Sequence, residues 1–596
     1  MGFRGFNGIR YINSETTHAP NMTTTPVARW RLAPADVAVV NHLQDKTGLH
    51  RVFCQLLAQR GITTPAAAAT FFDPQLNALH DPFRMKGMEA AVTRLHTAID
   101  RKETILLYGD YDVDGTTSVA LLHQFLAPIH NNLDYYLPDR YAEGYGLSRK
   151  GIDHAHTQGA TLMLVVDCGI RAVAQVAYAK TLGIDVVICD HHHPGPIIPD
   201  AVAVLDPKRA DCAYPYKELS GCGVAFKLAQ AYTARYKLPT EPLYALLDYL
   251  VISIAADIVP ITGENRILAY WGLKTLNKTK RAGLLTLLTQ SNRQPPLTIT
   301  DIVFGFAPRL NAAGRMGDAR LAVRLLLADD RQHATDLAQQ LETRNNLRRE
   351  YDRQTAEEGK AMVAAHPEWH HARSLVLYHP EWHKGVVGIA AARMVEAFHK
   401  PTVMLTENHG RLTGSARSVR GFNVYEALLA CEDLLENFGG HDYAAGLTLR
   451  PENLERFRER FEEAVAERIE RTLLRPELQL NAVLNFPDIT PEFWQTLQRF
   501  APFGPGNRSP LFGSKHIQDI GYSKALRNNH LRLAVRQPDS TTLYGIAFGK
   551  GNLIEQVQQH PAFYLAYKLE EDHWNERTRL QLMVKDLKFP KVERAN

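Results

Sequence analysis

Tyr108-Gly-Asp-Tyr-Asp-Val-Asp-Gly115 is the stretch whose reading decides the fold. It follows Thr104-Ile-Leu-Leu-Tyr108, a short continuous apolar run of the kind that forms a strand buried on both faces of a parallel sheet. Inside it Asp110, Asp112 and Asp114 occupy alternate positions, so three carboxylates crowd the end of one strand. Three anions this close raise one another's pKa unless a cation neutralises them, and oxygen-rich sites of this kind suit Mg²⁺ or Mn²⁺. An EF-hand shares the D-x-D-x-D-G pattern, but it needs flanking helices and a Glu at its twelfth position, where this chain has Leu121 after a strand.

Two further apolar runs repeat the design. Leu162-Met-Leu-Val-Val166 ends on Asp167, and Asp185-Val-Val-Ile-Cys189 ends on Asp190-His-His192. In doubly wound α/β sheets ligands bind beyond the carboxyl ends of the strands, so three strands are expected to deliver acid to one edge. A histidine beside those carboxylates moves the preference from Mg²⁺ toward Mn²⁺ or another transition ion.

Outward from this core the chain divides by pattern. Short helices are expected near Ala35–Gln44 and Arg51–Gln59, within an N-terminal segment 1–75, ahead of an α/β metal domain at 76–330. A charged helical connector at 331–370 has Leu337, Leu341, Leu347 and Tyr351 spaced for one face. A second α/β segment follows at 371–472, with strands near Ser374–Tyr378 and Thr402–Leu405. From 473 to 596 the pattern turns to short strands, which suggest an OB-like β-barrel.

The 596 residues carry a formal charge of only +4, but from Ala501 onward 14 Lys and Arg stand against 9 Asp and Glu. A basic C-terminal module is compatible with nucleic acid and equally with an ordinary solvated face. No stretch approaches the roughly 18 apolar residues of a membrane span. The opening segment to Thr25 lacks a secretory signal, and Met22 is an alternative start to Met1. Six scattered cysteines without a CxxC pair argue against a zinc site or a disulfide framework and fit a reducing cytoplasm. Neither a P-loop nor a G-x-S-x-G elbow is present.

The motifs YGDYDVDG (108–115), YLPDRYAEGYGLS (136–148), VVDCGI (165–170) and DHHHPG (190–195) together resemble the DHH phosphoesterase superfamily and, within it, the RecJ exonucleases. IAADIVP (254–260), PRLNAAGRMG (308–317), WHKGVVGI (382–389) and GGHDYAAG (439–446) extend the resemblance in order over most of the chain. His193 departs from the apolar residue often found there and leaves the triplet intact.

The resemblance implies single-stranded-DNA-specific 5′ to 3′ exonuclease action releasing mononucleotides, in DNA recombination and repair, with two divalent cations, Mn²⁺ or Mg²⁺. It implies one metal on Asp112 and Asp167 with Asp110 nearby, and a second on Asp114, Asp167, His191 and Asp257. His192 is then the group facing the scissile phosphate or leaving oxygen. Arginine forks suit a strand-terminal phosphate, which makes Arg140, Arg309 and Arg315 candidates; a structural ion pair explains Arg309 equally well, and Arg315 less well in its glycine-flanked turn. Ser415, Arg417 and His441 resemble the substrate-gripping surface of the DHH-associated domain.

A single-strand-binding protein and a RecQ-type helicase are partners implied in the same way. In the barrel, Phe503, Phe512, Tyr522, Tyr544 and Phe548 lie among cations, although aromatics in a small barrel are more often core. Two alternatives stand: a DHH hydrolase of small nucleotides or pyrophosphate, and a non-catalytic single-strand-binding scaffold that has lost ligands. The first has shorter or membrane-attached relatives, and the second conflicts with the full ligand set here. Asp114→Ala is expected to abolish hydrolysis while leaving the fold intact.

Overall fold

The computed structural model describes residues 28–574 and 577–590; the opening segment with Met22 lies outside them. The chain separates into two compact units, one of residues 30–355 with 479–596 and the other chiefly 356–478.

The first unit is built on a parallel sheet of β1 (Thr104–Gly109), β2 (Leu133–Tyr136), β3 (Ala160–Val166), β4 (Asp185–Cys189) and β5 (Ala203–Leu205), in the order β2-β1-β3-β4-β5. Alternate residues feed two cores: Ile105 and Leu107 join one hydrophobic cluster while Leu106 and Tyr108 join the other. Both faces are therefore covered, which is why the strands read as unbroken apolar runs. Strand order reverses between β1 and β3, and a crevice at such a switch point is where open α/β sheets bind ligands. Helix α1 (Val113–Leu126) leaves β1 directly, and α2 (Gly221–Arg235), α3 (Leu247–Ala256) and α4 (Ala307–Arg315) complete the same layer.

PRLNAAGRMG is helical where a glycine-flanked turn was expected around Arg315. It forms α4, with Pro308 tolerated in the first turn and Arg315 as the last helical residue. Gly314 is there for close approach: a Cβ would lie 2.4 Å from the Tyr111 carbonyl oxygen.

Helix α5 (Arg331–Ala365) runs across the boundary between the units. Leu337 and Leu341 are buried as expected, but Leu347 and Tyr351 are exposed. The buried stripe instead continues through polar residues, Asn345, Asp352 and Thr355, which an apolar pattern does not register.

The second unit holds a sheet of β6 (Leu375–Tyr378), β7 (Thr402–Asn408), β8 (Arg411–Arg417), β9 (Leu435–His441) and β10 (Ala444–Leu449), ordered β9-β10-β8-β7-β6, with only β6 and β7 parallel.

In the first unit the C-terminal strands β11 (Ala482–Val483), β12 (Phe512–Asp519), β13 (Lys524–Leu526), β14 (His530–Arg536), β15 (Leu543–Ala547), β16 (Phe563–Trp574) and β17 (Arg577–Lys588) form one sheet. It closes through β12–β14 pairing into a five-stranded barrel. Helices Val37–Thr47 and Arg51–Ala58 share this barrel's core: the Phe53 and Phe493 rings lie 4.5 Å apart. Phe512 is core, while Tyr522, Tyr544 and Phe548 are exposed.

Candidate active site

Asp112 ends the loop after β1 and caps α1, its Oδ1 accepting from the backbone N–H of Asp114 at 2.8 Å and Gly115 at 3.2 Å. This cap turns the chain so that Asp110, Asp112 and Asp114 meet the end of β3. Ligand atoms of Asp110, Asp112 and Asp167 lie within 4.8 Å of one another, as do those of Asp114, His191 and Asp257. The two groups touch, because His191 Nε2 is 3.2 Å from Asp167 Oδ1 and 3.7 Å from both Asp114 and Asp257. Asp257 reaches the cluster as the C-terminal cap of α3. Backbone strain gathers here too: Asp167 (φ 59°) and Ile258 (φ 62°), the neighbour of Asp257, are in the left-handed region that non-glycine residues avoid.

Several supporting groups were not singled out from the sequence. Asp114 Oδ2 accepts from Gly221 N at 2.7 Å, and Oδ1 from Cys222 N at 2.9 Å and Ser253 Oγ at 2.7 Å, so the N-terminus of α2 is aimed at this carboxylate. A Cβ on Gly221 would stand 2.6 Å from Asp167 Oδ1, so only glycine lets α2 approach. Ser253 is the lone serine in the apolar helix LDYLVISIAA, a signal open to the sequence. Asp190 faces inward rather than toward the cluster: Oδ1 accepts from His192 Nδ1 at 2.7 Å and Oδ2 from Ile170 N at 2.9 Å.

Charge follows from this packing. Burial, and behind it Asp112, pushes the Asp110 carboxyl well above its ordinary range. Burial together with Asp114 does the same to Asp167 and Asp257, and raises Asp112. Burial lowers His191 to about 4, leaving a neutral imidazole, the form that ligates metals. Burial also opposes charge on His192, but the hydrogen bond and charge of Asp190 prevail and lift it to about 9. The Tyr145 hydroxyl stands 3.1 Å from His192 Nε2.

The donor set fits divalent cations. Asp110 Oδ1, Asp167 Oδ1 and His191 Nε2 are buried without a hydrogen-bond partner, and carboxylates that resist ionising together regain their charge beside a cation. Oxygen with one imidazole nitrogen suits Mn²⁺ as well as Mg²⁺.

The candidate substrate residues fall into different settings. Arg140 lies over the Tyr111 ring at 4.7 Å, and its charge acts on Asp110. Tyr141 donates to the Arg315 carbonyl, which ties the Arg140 loop to the end of α4. Arg309 is committed elsewhere: it pairs with Glu342 at 2.6 Å and donates to Gly305 O at 2.7 Å and Gln290 O at 3.1 Å. In the second unit Ala444 pairs with both Arg417 and His441, which brings these two side chains to one end of the sheet. Arg417 also bonds Ser415, and Gly388 leaves room for both: a Cβ there would lie 2.8 Å from Arg417 Nη2.

Comparison with known proteins places these observations. The model of the DHH family N-terminal domain matches residues 104–254, the DHHA1 domain residues 371–467, and the RecJ OB domain residues 480–586. The single-stranded-DNA-specific exonuclease RecJ of Bacillus subtilis is 36% identical over 563 residues, covering 94% of this chain and 70% of that protein. The protein of the same description from Escherichia coli is 34% identical over 539 residues, covering 85% of this chain and 90% of its own. Among solved structures, RecJ of Thermus thermophilus in complex with Mn²⁺ superposes with a TM-score of 0.80 at 28% identity, over 95% of this chain and 80% of that one. Its complex with Mg²⁺ gives 0.76. The chain therefore belongs to the RecJ family of DHH proteins.

Proposed function

We propose that this protein is a single-stranded-DNA-specific exonuclease that releases mononucleotides by hydrolysis with two divalent cations, Mn²⁺ or Mg²⁺, and acts in DNA recombination and repair. The observation that carries the reading is that the groups Asp110–Asp112–Asp167 and Asp114–His191–Asp257 are linked by a third, Asp167 with His191 and His192, across the 3.2 Å His191–Asp167 contact. Asp110, Asp112 and Asp167 would hold one ion; Asp114, Asp167, His191 and Asp257 would hold the other. Two such ions lower the pKa of water and neutralise charge that develops on a phosphodiester in displacement.

The protein's own groups supply the rest. His192, kept protonated by Asp190, is placed to give a proton to the departing 3′ oxygen. Arg140 and Arg315 flank the Tyr111 loop beside the acids and offer guanidinium forks to a terminal phosphate; Arg309, already paired, is left out of this set. Ser415, Arg417 and His441 grip the strand backbone in the second unit. On the barrel, exposed Tyr522, Tyr544 and Phe548 beside Lys524 and Arg532 form a surface on which bases stack.

Polarity from 5′ to 3′, and partnership with a single-strand-binding protein or a RecQ-type helicase, rest on family resemblance. The six cysteines, all free and buried, support a reducing cytoplasm as the place of action. Among the described residues no helix is long and apolar enough to cross a membrane.

Purified protein with Mn²⁺ is to be given 5′-labelled single-stranded DNA, duplex DNA, cyclic dinucleotide and pyrophosphate separately, and strands with either end blocked. Rapid mononucleotide release from single strands, stopped by a 5′ block, is expected. Inactivity on DNA with turnover of a small substrate would replace this reading with that of a small-nucleotide hydrolase.

A further inference from the structure

Helices α1 and α3 both begin or end at the metal site, through Asp112 at the start of one and Asp257 at the end of the other. Their opposite ends line a separate open pocket of about 1050 Å³, through Gln124 on α1 and Asp248 and Tyr249 on α3. Asp248 and Asp257 are nine positions apart, roughly 14 Å at 1.5 Å per residue. The pocket thus sits on the far side of the helices that hold the metal ligands.

Its chemistry is cationic. Lys274, Lys278, Lys280 and Arg281 line it, against Asp248 and Asp329. Asp248 is spent within the protein, accepting from Arg281 Nε at 2.9 Å and Thr279 Oγ1 at 3.0 Å, so it fixes the loop rather than neutralising the lysines. The three lysines are exposed, and among the described residues none of them forms an ion pair. Lys274 is held over the Trp271 ring at 4.4 Å and the Tyr270 ring at 4.2 Å, which directs one ammonium into the group. Unpaired ammonium groups gathered in a concavity repel one another, and an anion relieves that repulsion.

We propose that this pocket binds nucleotide phosphates, and that the occupant is the phosphodiester backbone of a DNA strand engaged by the same molecule. Lysines serve phosphates as mobile point charges without a base preference. The choice of a DNA strand rests on the exonuclease reading above; the phosphate chemistry does not.

The test compares the full-length protein with the triple variant Lys274→Gln, Lys278→Gln, Lys280→Gln and with a control neutralising Lys46, Lys237 and Lys360 instead. Binding of a phosphorothioate-linked 20-mer is measured in Mn²⁺ buffer from low to high salt, and turnover of the ordinary 20-mer is followed in parallel. Loss of three phosphate contacts is expected to reduce the salt slope of log Kd by about 2 and to weaken binding about tenfold or more at low salt, the control being unchanged. KM rises while kcat stays as in the parent.

A second arm titrates deoxynucleoside mono- and triphosphates calorimetrically. Loss of nucleotide binding in the triple variant with an unaltered 20-mer isotherm keeps the phosphate site and makes free nucleotide its source. Unaltered binding in both arms overturns the proposal. A parent that binds the 20-mer and never cleaves it sinks the exonuclease reading while leaving the pocket result legible.

Discussion

Asp114 turns both carboxylate oxygens toward buried donors, the N–H groups of Gly221 and Cys222 and the hydroxyl of Ser253, while standing 3.7 Å from His191. Its removal therefore does more than delete a metal ligand. Each buried donor left without an acceptor costs about 1–3 kcal/mol, so Asp114→Ala is expected to lower the melting temperature as well as activity, contrary to what the sequence suggests. Asp257→Ala is the cleaner probe: its side chain is 26% exposed at a helix end, and activity should vanish with stability changed by less than about 1 kcal/mol. Circular-dichroism melts beside single-strand hydrolysis check both.

His192 gives a residue-scale pH prediction. Asp190 holds it protonated up to about 9, so a proton donor is present below that pH and lost above it. Asp190→Asn removes the charge and the acceptor, and the alkaline limb of the kcat/KM profile should move to lower pH by roughly one to two units. An unmoved limb would show that His192 does not donate the proton. The aspartates at the strand ends were legible because their motifs are local; the inward role of Asp190 was not, because it depends on a bond to Ile170 twenty positions away.

Elements decide how closely those residues meet. Continuous apolar runs announced β1, β3 and β4, and Asp185–Cys189 was read to the residue. The glycines flanking Arg315 suggest a turn, yet packing against Tyr111 makes the segment a helix and explains Gly314. The approach of α2 to the site likewise left no pattern, since a glycine that admits a neighbour looks like any other glycine. Gly221→Ala forces a methyl to 2.6 Å from Asp167 Oδ1; Mn²⁺ affinity by calorimetry should fall more than about tenfold. Ser253→Ala removes the bond to Asp114 and a 2.6 Å bond to Ser220, the cap of α2, and should lower it by about tenfold with the fold intact. Unchanged affinity in both would mean that α2 and α3 do not tune the site.

Across the whole molecule, contacts far apart in sequence fix what no local pattern shows. The N-terminal helices and the barrel, read as separate segments, share one hydrophobic core. Arg266 on the metal domain is buried and donates to the carbonyls of Phe71, Arg499 and Phe500 at 2.9–3.1 Å, with its guanidinium 3.7 Å from the Phe71 ring. Arg266→Ala leaves these carbonyls unpaired and a cavity beside Phe71, so chemical denaturation should show a loss of about 3 kcal/mol or more. A loss below about 1 kcal/mol would mean that this junction contributes little. Two cations sharing Asp167 are the core of the proposed chemistry, and Mn²⁺ binding followed by electron paramagnetic resonance in the parent and in Asp167→Asn is the decisive measurement. Two ions per chain with a spin-coupled signal are expected in the parent, with coupling and single-strand hydrolysis both lost in the variant; a single uncoupled ion in the parent, or full hydrolysis by Asp167→Asn, would contradict that chemistry.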